Sequence, residues 1–294
     1  MRLCFTLAVS AIGLSAAFLS GPALAAGNTD LTSLTVSETF PAWQSTVTYE
    51  QKTGGGYQFY SNFAKITAAV KYDAATQSYI VKDTGSPALT TFAPADITSS
   101  TTDYTYYSKS GGGTTQTLKL LKPGGGNTVI ALTYTSYGAW RRTTPGAGWN
   151  GATKINDTYF VFGKKTPTSG IPLSGGADYS TVLDGSFVNA TKSYTVSGTG
   201  SLHASWSGNG SISYSATASG VAADLSVLNF GTMNGSGSIY KTSSSFTGFG
   251  TTNGSGYRMG VSGYFFGPTA QEIGAVFQLS GGGGSGTGAM VGKQ

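Results

Sequence analysis

The chain contains one histidine, His203. Histidine is the commonest metal and haem ligand, so it is the first candidate for holding such a group. Any Ser-His-Asp triad would also have to run through it. Its neighbours place it, however. Leu202, Ala204 and Trp206 share one face of an extended segment, while His203, Ser205 and Ser207 share the other. In a water-soluble barrel the serine face points outward, which makes His203 a surface residue. A second candidate set is Tyr104, Tyr106 and Tyr107, with Tyr134 and Tyr137 further on. Tyrosine ligates haem and stacks on protein partners, and it also belongs in strands for ordinary packing. A third set is Trp140, Arg141, Arg142 and Trp149, in a stretch read as a wide Pro/Gly loop. Trp and Arg are enriched among interface hot spots, so these four are candidate partner contacts. Glu272 follows a Gly-Pro turn and is expected to accept backbone N–H bonds that fix it.

Enzyme constellations do not assemble. The runs Gly208-Asn209-Gly210-Ser211 and Gly235-Ser236-Gly237 lie in β-like segments, not in a strand-to-helix elbow. Carboxylate pairs are scarce, and neither a phosphate loop nor zinc spacing occurs. The expectation is no catalytic residue, no metal site and no required cofactor. Haem remains a candidate cargo. The expected mode of action is recognition, with no bond made or broken.

Met1-Arg2, an apolar run from Leu3 to Leu19, and small residues at Ala23 and Ala25 read as a secretory signal peptide over 1–25. The only cysteine, Cys4, lies inside it, and Ala26 stands where a lipoprotein would carry its lipidated cysteine. The expected product is exported, extracellular or on the outer-membrane surface. It is not lipid-anchored through cysteine and has no disulfide. Charged residues make up 10% of the chain, yet aromatics reach 12%, which argues for packed strands rather than disorder. The net charge of +5 comes without any basic run, so nucleic acid is not an expected partner.

Val70 to Val81 reads as a hairpin turning at Asp73. Gly85-Ser86-Pro87 signals a loop, and Thr128 to Tyr137 a strand. Tyr159-Phe160-Val161-Phe162-Gly163 is a short, wholly apolar strand. The Pro/Gly-rich stretch Lys164–Gly176 reads as a domain boundary. From Asp178 onward, about eight strands alternate quickly with turns, as in an all-β barrel or sandwich. The glycine-rich segment after Leu279 reads as a flexible tail. The expected division is signal peptide 1–25, N-terminal β-rich domain 26–165, barrel 166–280 and tail 281–294.

Gly263-Tyr264-Phe265-Phe266-Gly267-Pro268-Thr269-Ala270-Gln271-Glu272-Ile273-Gly274, closed by Phe277, resembles the end of the β-barrel of the transferrin-binding protein B family. Tyr159–Gly163, Tyr179–Gly185 and Gly235–Ser238 support the resemblance. It implies an all-β chain with a C-terminal eight-stranded antiparallel β-barrel preceded by a β-rich handle-like domain. It also implies a secreted or surface-exposed binding protein for haem or an iron-carrying protein. An outer-membrane receptor or export translocator would be its partner. The alternatives are a structural or adhesive surface protein and an integral outer-membrane barrel.

Overall fold

The computed structural model describes residues 27–82 and 89–294. The segment expected to be a signal peptide, 1–25, and the loop expected at Gly85-Ser86-Pro87 lie outside the described residues. The first unit is a nine-stranded antiparallel sheet in the spatial order β4-β3-β2-β1-β9-β8-β7-β6-β5. Its strands are β1 (Glu38–Gln51), β2 (Tyr57–Asp73), β3 (Ser78–Lys82), β4 (Leu89–Phe92), β5 (Ile97–Ser100), β6 (Tyr104–Gly111), β7 (Thr114–Leu121), β8 (Thr135–Thr144) and β9 (Thr153–Gly163). The expected hairpin is the β2–β3 turn. The Asp73 carboxylate accepts the N–H groups of Ala75 and Thr76, and Tyr72 pairs with Tyr79 across it. The sheet curls around its own core. Phe92 on β4 reaches over to Tyr107 on β6 and Trp140 on β8, with ring centroids 5.8 and 6.2 Å apart.

The second unit is a closed barrel in sequence order. Its strands are β10 (Gly176–Asn189), β11 (Ser193–Ser205), β12 (Ser211–Ala222), β13 (Val227–Tyr240), β14 (Ser245–Thr252), β15 (Arg258–Phe266), β16 (Glu272–Gly281) and β17 (Gly284–Lys293). Alternation turns Leu202, Trp206, Ile212, Phe246, Phe265 and Phe277 inward, where they form one apolar core. Closure of the hydrogen-bonded ring leaves no free edge. The fold is therefore all-β, a curled handle beside an eight-stranded barrel.

Two expectations are corrected. The segment 281–294 is not a flexible tail: Gly284–Lys293 is the closing strand, paired with β16 on one side and β10 on the other. Its glycines face inward because large rings already fill that space. A Cβ on Gly288 would lie 2.2 Å from the Phe277 ring. Second, the strand placed at Thr128–Tyr137 begins only at Thr135 and runs on through Trp140, Arg141 and Arg142 to Thr144. The wide loop is accordingly shorter, and most of its candidates are strand residues.

The handle packs against β10 and β15 to β17. Val276, Ala289 and Val291 meet Leu121, Leu132 and Val161 in a buried cluster between the units. The linker is pinned as well: Thr166 N–H donates to the Phe265 carbonyl at 2.9 Å, and Gly267 N–H to that of Lys164 at 2.9 Å.

Candidate functional site

Three regions carry the chemically interesting side chains. The first is the polar seam between handle and barrel. Glu272 is buried there, and its carboxylate does not fix its own turn as expected. Instead it accepts three backbone N–H bonds from the handle: Thr133 at 2.6 Å, and Tyr134 and Thr135 at 2.9 Å each. Burial raises its pKa above the ordinary value, against the pull of those three donors. Further along the seam, the Tyr137 hydroxyl donates to Asp184 at 2.7 Å and lies 3.0 Å from the Tyr104 hydroxyl. Lys119 pairs with the same carboxylate. Burial, and then the Asp184 charge, hold the Tyr137 phenol well above its usual pKa, so it stays a neutral donor. Arg141 makes a bidentate pair with the buried Asp157, at 2.6 and 2.8 Å. It stands where two shallow hollows of about 320 and 230 Å³ meet.

The seam and the handle core absorb several predicted residues. Tyr107 belongs to the handle core, and Tyr104 is tied into the Asp184 network. Tyr106 is half-buried, 6.0 Å from the Tyr104 ring. Trp140 is 1% exposed and donates its indole N–H to Gln116 at 3.2 Å. Arg142 lies over the Trp140 ring at 5.1 Å. As a loop cluster for partner contact, Trp140, Arg141 and Arg142 are therefore corrected: the strand turns Trp140 into the handle and commits Arg141 to Asp157.

The second region is the loop-bearing end, where Trp149 is the exception. It is 74% exposed. The loop that carries it, residues 145–152, is nonetheless pinned. Trp149 N–H donates to the Glu50 carboxylate at 3.0 Å, and Gly148 N–H to the Ala152 carbonyl at 2.9 Å. Asn150 takes a left-handed backbone, which Asn tolerates. The neighbouring handle turn, 52–56, docks on the barrel through a Tyr57 N–H to Ala190 carbonyl bond of 2.9 Å. Next along this end, Lys192 pairs with Asp224 at 2.7 Å. Leu225 and Val227 then protrude, 80% and 67% exposed. Sequence reasoning missed both, although a Leu within Asp224-Leu225-Ser226 at a turn was a usable signal.

The third region is the outer barrel wall at His203. It points outward as its neighbours implied, half-exposed, with Nδ1 2.7 Å from Asp178 Oδ1. The six residue steps along β10 from Asp178 to Asp184 separate it by about 20 Å from the tyrosine network. His203 and the tyrosines are thus not brought together. Among the described residues, no group of three or more His, Cys, Asp or Glu side chains could hold a metal ion.

Fold and surface together define a handle-and-barrel protein with a pinned, apolar loop end. No family model matches the chain, and no curated protein matches it. Among solved structures, it is similar to a double mutant of transferrin binding protein B from Haemophilus parasuis Hp5, at 15% identity and a TM-score of 0.48. That match covers 81% of this chain and 47% of the other, so the chain spans about half that protein's length. It is also similar to intact Ap-TbpB with both lobes, at 12% identity, 91% and 79% coverage and a TM-score of 0.45. A third similar structure is the haemoglobin receptor HpuA from Kingella denitrificans, at 14% identity, 89% and 88% coverage and a TM-score of 0.40.

Proposed function

We propose that this chain is an exported bacterial binding protein that captures an iron-carrying protein at its loop-bearing end and passes the nutrient to an outer-membrane receptor. Trp149 carries the reading. A large ring held out in solvent by a pinned loop presents contact area at little entropic cost, which is how hot-spot residues work. Leu225 and Val227 extend the apolar surface at the same end, and the Lys192–Asp224 pair supplies a polar rim. Free haem fits less well. His203 stands on an open wall beside a carboxylate, the Tyr137 hydroxyl is spent on Asp184, and the Tyr104 hydroxyl on that of Tyr137. Binding requires no cofactor. The sequence pattern of 1–25, followed by Ala26, supports export without a cysteine-linked lipid.

The test is biolayer interferometry of the mature chain against transferrin and against haemoglobin, with a spectrophotometric haem titration alongside. One of the two proteins should bind, and Trp149→Ala should weaken it by about tenfold or more with an unchanged circular dichroism spectrum. A Soret shift abolished by His203→Ala would move the site to the barrel wall instead. Silence from all three ligands would reject nutrient capture of this kind.

A further inference from the structure

The barrel wall away from the handle has an unusual surface. Strands β11 to β14 contain no Asp, Glu, Lys or Arg, whereas roughly a quarter to a third of a well-behaved soluble surface is charged. Their outward positions are mostly Ser, Thr or Asn, with Val221 and Val227 only toward the loop-bearing end, and the strand register aligns them in rows. One row runs His203, Ser213, Ser236, Phe249. The next runs Ser205, Ser211, Ser238, Thr247. At its end the Tyr240 hydroxyl lies 3.4 Å from Thr247 Oγ1. Phe249 and Tyr240 are 57% and 49% exposed. With strands about 4.8 Å apart, the His203 and Phe249 rings lie about 14 Å from each other along the row, with two hydroxyls between them.

This chemistry selects a partner. Each hydroxyl both donates and accepts, so a partner that is itself a polyol can satisfy all of them without desolvating a charge. Exposed rings offer flat apolar faces to the C–H side of a sugar ring. An anionic polymer would call for Lys and Arg, which these strands lack. A protein interface would be rich in Arg and poor in Ser, the reverse of this wall. We propose that the outer face of β11–β14 binds a neutral glycan chain. Phe249 and Tyr240 stack on its sugar rings, and Ser213, Ser236 and Ser238 hydrogen-bond its hydroxyls. This surface is separate from the loop-bearing end, and the proposal does not rest on protein capture there.

Native affinity electrophoresis of the mature protein tests it, through gels containing dextran, soluble starch, galactomannan or hydroxyethyl cellulose, with heparin as a charged control. At least one neutral polymer should retard the protein, and added salt should leave the retardation unchanged because no charged contact is screened. Phe249→Ala and Ser236→Glu should each weaken retention by about tenfold or more, with unchanged melting temperature, while Trp149→Ala should leave it intact. Absence of retardation in every neutral gel, binding to heparin alone, or retention indifferent to both wall substitutions would overturn the proposal. So would a concentration-dependent dimer that Ser236→Glu dissolves, since that would give the face to a second copy of the chain.

Discussion

The two sides of the barrel share one interior but have opposite exteriors. On the handle side the outward residues of β15 to β17 include Tyr264, Phe266, Val276, Ala289 and Val291, all buried. On the open side the same kind of position holds Ser201, Ser213, Thr217, Ser236 and Thr251. Inward positions on both sides build one apolar core, with large rings set against glycine and alanine, and they determine that the ring closes. Outward residues determine what it closes against. The handle side buries a second apolar layer and a carboxylate, so it behaves as domain core, while the open side contributes to solubility and contact rather than to folding.

The comparison breaks most completely at the seam where the two sides must join. Truncation after Gly283 removes β17, exposes the edges of β10 and β16, and strips Ala289 and Val291 from the handle interface. The expected outcome is loss of cooperative unfolding altogether, read by urea titration; a truncated chain that still unfolds in one cooperative step would show that the strand is dispensable. A matched pair of charges comes next. Val276→Asp places an unpaired carboxylate in the buried cluster and should cost about 3–5 kcal/mol. Ser215→Asp on the open wall should stay within about 0.5 kcal/mol. Equal costs for the two would erase the distinction between the sides.

How much of this was legible in the sequence follows the same division. The open strands announce themselves: Leu202, Ala204 and Trp206 alternate with His203 and Ser205, and the structure keeps that phase. The doubly covered strands are legible as unbroken apolar runs such as Tyr264-Phe265-Phe266. β17 was hidden because its inward positions are mostly glycine. Phe187 and Phe277, the register partners of Gly286 and Gly288 on the adjacent strands β10 and β16, fill the space instead, so the segment shows composition without alternation. Trp140 was misplaced for a related reason. Gly138, which leaves room for the Phe160 ring, reads as a breaker, and the loop signal truly begins only at Pro145. Trp149 does lie among those turn residues and stays exposed. The Arg141–Asp157 pair depends on cross-strand register. The partners of Glu272 lie 137 to 139 residues away, and no local spacing points to them.

Glu272 gives the finest test of the handle side. Glu272→Ala leaves three N–H donors without an acceptor, the buried one of Thr135 and the part-buried ones of Thr133 and Tyr134. A loss of about 3 kcal/mol is expected at neutral pH, since each orphaned buried group costs about 1–3 kcal/mol and the handle can relax around part of it. The pH dependence then separates burial from hydrogen bonding. Burial sets the folded pKa above the ordinary 4.5, so the native state holds the proton more tightly than the unfolded chain. The ionised group therefore costs stability at neutral pH. That cost is removed as pH falls through the raised folded value toward 4.5, and it returns as pH rises again. The stability gap between wild type and Glu272→Ala should accordingly widen on acidification across that window. A gap that narrows instead would mean that the three N–H bonds outweigh burial, and that the handle is held by an anion which acid releases.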